Sequence, residues 1–171
     1  MRGGALGPIV SSAHLAAGKL PALSEFEFGL NMLGHAYGRW MVRCMAVAGI
    51  AHLSTLDVLV LHSVNHRGRA KRLADICLVL NIEDTHLVTY AVKKLAAHGL
   101  VASRRRGKEK LVEITAKGEA ACLRYREARE ALLVKPVKDA GLDQARLSEL
   151  AAMLRVLSGY YDQATRSAAS L

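Results

Sequence analysis

Aromatic side chains are scarce in this 171-residue chain: a single Trp, five Tyr and two Phe make up only 5% of it. With few β-forming rings, and with Ala, Leu and Val supplying most of the 51% hydrophobic content, a sandwich or barrel is disfavoured and a mainly helical fold is expected. Cysteine is sparse as well. Cys44, Cys77 and Cys122 are odd in number and far apart, which argues against a disulfide scaffold and suits a reducing compartment. No apolar run reaches membrane-spanning length, since the most apolar stretch, 41–61, is broken by Arg43, His52 and Asp57. The first residues hold one early Arg and a Gly-rich stretch in place of a signal-type apolar core. A cytoplasmic protein without a membrane partner is therefore expected. There is no Gly-rich phosphate loop, no GxSxG and no paired carboxylates in an apolar setting, so the chain is expected not to be an enzyme and to need no cofactor.

Acidic residues are also in deficit, fifteen against twenty-four Lys and Arg, giving a formal net charge of +9. The surplus is localised: between Arg67 and Lys117 there are twelve Lys or Arg and five Asp or Glu, so seven of the nine net charges sit in one third of the chain. Such a patch steers a protein towards nucleic acid and makes its affinity salt-dependent.

The same third has the strongest structural pattern. From Arg69 to Val79, with Leu80 completing the stripe, Leu73, Ile76, Cys77 and Leu80 recur at helical spacing while Arg69, Lys71, Arg72 and Asp75 take the other face. Asn81 suits a left-handed helix end, and Asp84 suits the cap of a second helix running to about His98, whose buried stripe is Leu87 or Val88, Ala91, Val92 and Leu95. Its opposite face holds Thr85, His86, Thr89, Tyr90 and Lys93. Gly99 permits the stop, Leu100 to Ser103 reads as a short strand, and Leu111 to Thr115 as its return. Between them lies Arg104-Arg105-Arg106-Gly107-Lys108-Glu109-Lys110, a turn in which five of seven residues are cationic. Two short helices followed by a basic hairpin is the layout of a winged helix-turn-helix. Its second helix fits the DNA major groove and its hairpin reaches the backbone or the adjacent minor groove. Base edges are expected for Thr85, His86, Thr89 and Tyr90. Phosphates are expected for Arg69 and Lys93, and for Arg104, Arg105, Arg106, Lys108 and Lys110 of the wing; Lys71 is expected among the DNA-binding residues.

These residues resemble the MarR group of winged-helix regulators. The resemblance is carried by Leu73-Ala74-Asp75-Ile76, by the run from Asp84 to Leu95, by Gly99-Leu100-Val101 and by Ile114 to Gly118. It covers about residues 24–165 in layout, with its specific motifs in 54–118. Two departures stand out: Tyr90 occupies a position where the family commonly has Arg, and the wing tip is short. The resemblance implies a homodimer that binds palindromic double-stranded operator DNA, usually as a repressor, and that releases it when a small aromatic or phenolic effector, or an oxidant, arrives.

The flanks carry the expected dimer contacts. In 24–51, Phe26, Leu30, Leu33, Tyr37, Trp40, Cys44, Val47 and Ala51 alternate steps of four and three, and Leu147, Leu150, Leu154, Leu157 and Tyr161 do the same near the C-terminus. The organisation read from this is an arm at 1–22, a dimerisation helix at 23–53, the winged helix-turn-helix at 54–118, and connecting and dimerisation helices at 119–171. The connecting helix, from Ala116 to about Lys135, is expected to end before Pro136. For sensing, Tyr37, Trp40, Met41 and Met45, with Met32, form a candidate pocket that core packing explains equally well. His62 and His66, four apart on a helix spanning Thr55 to Asn65, are weak candidates for a zinc site, with no third ligand nearby. Cys44 is a candidate oxidant-sensing thiol, set against its place on an apolar seam. A winged helix that binds a protein partner remains the alternative of a different class.

Overall fold

The computed structural model describes residues 9–107 and 109–171; the side chain of Arg106 lies outside the description. Of the arm expected over 1–22, residues 1–8 fall outside it, Ala13–Ala16 forms a short helix (α1), and Pro21 opens the long helix α2, Pro21–Val47. The described chain forms two compact units, the first ending at Tyr125 and the second spanning Arg126–Leu171.

The first unit is built around α3 (Thr55–Asn65), α4 (Leu73–Leu80) and α5 (Thr85–Ala97), against a three-stranded antiparallel sheet of β1 (Lys71–Arg72), β2 (Val101–Arg106) and β3 (Glu109–Ile114). The sheet order is β1-β3-β2, so the returning strand of the hairpin is central. Local chemistry sets the helix ends. Ser54 accepts from the Asp57 amide at 3.2 Å while the Asp57 carboxylate accepts from the Ser54 amide at 2.7 Å, a capping box that starts α3. Asn81 closes α4 in the left-handed region at φ 52°, and Asp84 Oδ1 accepts from the His86 amide at 2.8 Å to open α5. Gly99, at φ 69°, ends α5. The core they share consists of Val58, Val60, Leu61, Val64, Ile76, Val88, Val92, Leu95, Leu100 and Val112, each fully buried. From α2, Met41, Cys44 and Met45 join the buried set, with Ala48 just beyond its end.

Four element boundaries differ from those predicted from sequence, the first being the helix expected over 23–53, which runs Pro21–Val47 and ends ahead of Gly49 at φ 88°. The helix expected from Arg69 begins at Leu73, because Lys71 and Arg72 pair with Val112 and Leu111 of β3; two residues are too few to show a strand period. The hairpin strands run through most of the basic tip, with Arg104, Arg105 and Arg106 facing Leu111, Lys110 and Glu109, and Gly107 turns at φ 62°. Lys108 lies outside the described residues. Finally, α6 (Ala116–Arg129) does not stop before Pro136: it continues through a π-helical stretch, Glu130–Val134, into α7, Lys135–Asp139. Pro136 lacks an N–H and its ring would meet the carbonyl four residues earlier. The wider π turn relieves both problems, so the chain stays helical.

The second unit holds that π-helical stretch, α7 and α8, Gln144–Ala168, which Asp143 caps by accepting from the Arg146 amide at 2.9 Å. Along α8, Leu147, Leu150, Leu154 and Tyr161 are exposed and Leu157 is half-buried.

Candidate nucleic-acid interface

Helix α5 presents two unlike faces. Val88, Ala91, Val92 and Leu95 are buried, while Thr85, His86, Tyr90 and Lys93 are exposed and Thr89 is half-buried. Leu87, which the periodicity leaves as an alternative to Val88, is exposed. The Thr89 hydroxyl donates to the Thr85 carbonyl at 2.9 Å, one turn back on the same helix. Helix α5 is fixed to α3 by Lys94, whose Nζ lies 2.8 Å from Asp57 Oδ2. The Asp57 side chain is only 3% exposed, so this pair is shielded from the solvent screening that weakens surface ion pairs.

In the wing, directly opposed residues point to the same face. Arg105 therefore stands beside Lys110, a like-charge pair that is unfavourable in the free protein and is relieved by an anion between them. Arg104 Nε is 3.1 Å from Glu113 Oε2, which neutralises part of the opposite face. Arg72 lies on that face too and bonds both oxygens of Asp75, at 2.8 and 3.0 Å, and Glu109 at 3.4 Å. Those carboxylates hold the Arg72 guanidinium above its ordinary pKa.

Lys71, expected among the DNA-binding residues, is engaged within its own turn. Its ammonium donates to the carbonyls of Val64 at 3.0 Å, of Arg69 at 3.5 Å and of His66, stapling the turn in which Arg67 and Gly68 adopt left-handed backbone. Burial first, then the charges of Arg69 and Arg67, push its pKa down. With three donors spent on carbonyls, it braces the turn. Arg67 and Arg69 are left exposed, with no ion pair among the described residues. Arg67, which the motif reading passed over, carried no signal beyond its place in the charged run.

Between α3, that turn, α4 and the wing lies an open cleft of about 1130 Å3. Arg67, Arg69, Arg72 and Arg104 line it, with the carboxylates of Asp75 and Glu109 among them, together with His62, Ser63, Leu59, Val79, Leu80 and Leu111. Of the lining residues, His62 and Ser63 have a polar atom each, Nε2 and Oγ, that is buried without a hydrogen-bond partner. The His62 ring meets Tyr125 edge-on with centroids 4.6 Å apart, and burial pushes its pKa below 6.5.

The other sensing candidates fall elsewhere. Met41 and Met45 belong to the core, Trp40 is half-buried, Tyr37 and Met32 are exposed on α2, and none of them lines the cleft. His62 and His66 both line it, yet no group of three or more His, Cys, Asp or Glu is placed to hold a metal ion among the described residues. Cys44 is buried, its Sγ donating to the Tyr125 carbonyl at 3.5 Å, away from the surface that an oxidant sensor needs. No described helix is long and apolar enough to cross a membrane.

Residues 53–118 match the family described as winged helix DNA-binding domain. No curated protein sequence matches the chain. Among solved structures, a MarR family regulator from Neisseria meningitidis is similar at a TM-score of 0.68 and 17% identity, covering 85% of this chain and 97% of that one. A mutant of MarR from E. coli, complexed with operator DNA, is similar at 0.65 and 16%, covering 82% and 99%. BpsR of Bordetella bronchiseptica, whose DNA binding is regulated by 6-hydroxynicotinic acid, is similar at 0.55 and 24%, covering 75% and 92%. At these identities the likeness is one of fold. Residues 53–118 thus match a winged helix DNA-binding domain, and the chain has the fold of the MarR-type winged-helix regulators.

Proposed function

We propose that this protein is a homodimeric transcriptional regulator that represses from a palindromic operator and releases it when a small organic anion of aromatic or phenolic type binds. The observation that carries the reading is the wing: Arg105 and Lys110 directly opposed at its end, a repulsion that a DNA phosphate removes. Beside it, α5 presents His86, Tyr90 and Lys93 to solvent from a helix pinned by a buried ion pair. Exposed apolar side chains on α2 (Leu30, Leu33 and Tyr37) and on α8 (Leu147, Leu150 and Leu154) support dimerisation, because each unit by itself leaves its own apolar face uncovered. A two-fold dimer would place its recognition helices about 34–36 Å apart on inverted half-sites. Of the cleft's arginines, Arg67 and Arg69 have no ion pair among the described residues and support an anionic effector there better than the α2 residues do, since Met41 and Met45 are core.

The test is fluorescence anisotropy of the full chain with the duplex upstream of its own gene and with a scrambled duplex, across a salt series. Preference for the first duplex is expected, at one dimer per site. Arg105→Ala and Lys110→Ala should weaken both duplexes alike and each lower the salt slope by about one. Unchanged slopes would remove the wing from the interface. If neither duplex binds, the exposed Leu78 and Val79 of α4 favour a protein partner instead.

A further inference from the structure

The outward face of α5 says something about the operator itself. Its sequence, THLVTYAVKKLAA, contains no Arg, Asn or Gln, the side chains that most often make bidentate bonds to guanine or adenine edges. Of its two lysines, Lys94 is committed to Asp57, and Lys93 lies in the third turn, beyond the N-terminal positions that usually reach bases. Thr89, half-buried, spends its hydroxyl proton on the Thr85 carbonyl, so it has no donor left for a base edge, and its side chain also carries a methyl. Beside it Tyr90 is 71% exposed and holds out an apolar ring.

We propose that this face reads the half-site chiefly through the C5-methyl groups of thymine, packed against the Tyr90 ring and the Thr89 methyl, and not through bidentate hydrogen bonds to guanine. In the major groove the thymine methyl is the one apolar mark that distinguishes a base, and it suits a helix that offers an aromatic ring and, beside the single hydrogen-bonding groups of Thr85 and His86, no guanidinium or amide fork. Burying a methyl group of this kind is worth about fourfold in affinity. The inference rests on the operator-binding reading above and names the chemistry by which that operator is recognised.

The experiment is selection of a randomised duplex pool by the full-length protein, followed by synthesis of the selected duplex with thymine or uracil at each thymine position. Uracil differs only in lacking the methyl. Thymine should be fixed at one or more positions in each half-site, and uracil there should weaken binding about fourfold per methyl. Thr89→Ser keeps the hydrogen bond to Thr85 and deletes the methyl, and Tyr90→Phe keeps the ring that Tyr90→Ala removes. Thr89→Ser and Tyr90→Ala should each abolish the preference for thymine over uracil at one position, and Tyr90→Phe should retain it. A merely structural role for these residues would lower both affinities equally and leave the preference intact, which overturns the inference. Equal binding of the thymine and uracil duplexes by the unaltered protein overturns it too, while leaving operator binding in place. A pool in which no sequence is enriched overturns the operator reading and this inference together.

Discussion

Lys94→Met removes the ammonium 2.8 Å from Asp57 Oδ2 while keeping an unbranched side chain of similar length. What remains is a carboxylate on a side chain only 3% exposed, and breaking a buried pair from one side costs about 3–5 kcal/mol. Two features reduce that figure: the Ser54 amide still donates to the same oxygen at 2.7 Å, and the Lys94 side chain is 30% exposed, so part of its desolvation was never incurred. A loss of about 2–3 kcal/mol is expected, which for a chain of this length lowers Tm by roughly 4–12 °C. The assay is urea unfolding at fixed protein concentration, followed by far-UV circular dichroism and by the fluorescence of Trp40, the only Trp in the chain. Adding Asp57→Asn should restore much of the loss, because a neutral amide needs no counter-charge and can still accept from the Ser54 amide. A cost below about 0.5 kcal/mol for Lys94→Met, the range of an exposed pair, would refute the argument that burial of Asp57 makes this contact hold α5 to α3.

Burial keeps the folded-state pKa of His62 below 6.5, so the unfolded chain takes up the proton more readily; stability from neutral His62 is complete above that value and declines as pH falls through the lower folded pKa. His62→Phe, which retains a ring against Tyr125 and removes the unpartnered Nε2, should flatten the fall in urea midpoint between about pH 7 and about pH 5; an unchanged fall would assign the proton to another group. At Gly118 a Cβ would lie 2.6 Å from Ile114 Cδ1 and closer still to the Leu100 carbonyl oxygen, so Gly118→Ala should cost about 3 kcal/mol or more in the same urea assay, and a near-neutral result would show that the junction of wing and α6 yields easily. All three thiols are buried, and burial together with the Glu119 charge pushes Cys122 up to about 11, so an aromatic disulfide reagent near neutral pH should label none of them quickly until urea is added. Rapid labelling of any one would reveal an opening that the fold does not provide.

Much of the helix-turn-helix is legible in the chain because its determinants are local. The apolar spacing of Ile76 and Cys77, the stripe Val88, Ala91, Val92 and Leu95, the left-handed Asn81, the cap at Asp84 and the glycine at 99 each act within a turn or two of themselves. Sequence also determined that positive charge concentrates between Arg67 and Lys117. What it left open depended on partners distant in the chain. Strand β1 exists because β3, some forty residues later, pairs with it, and Lys71 turns inward because the carbonyls of the preceding turn are gathered around it. Lys71 and Arg69 read alike as cations two residues apart; only the folded backbone decides that one braces a loop and the other stands free. The same holds for Pro136, which a π turn accommodates, and for Met41 and Met45, which the core claims. Periodicity and caps act along the chain and can be read there, whereas strand pairing, burial and the sharing of charges are set by residues that meet only after it has folded.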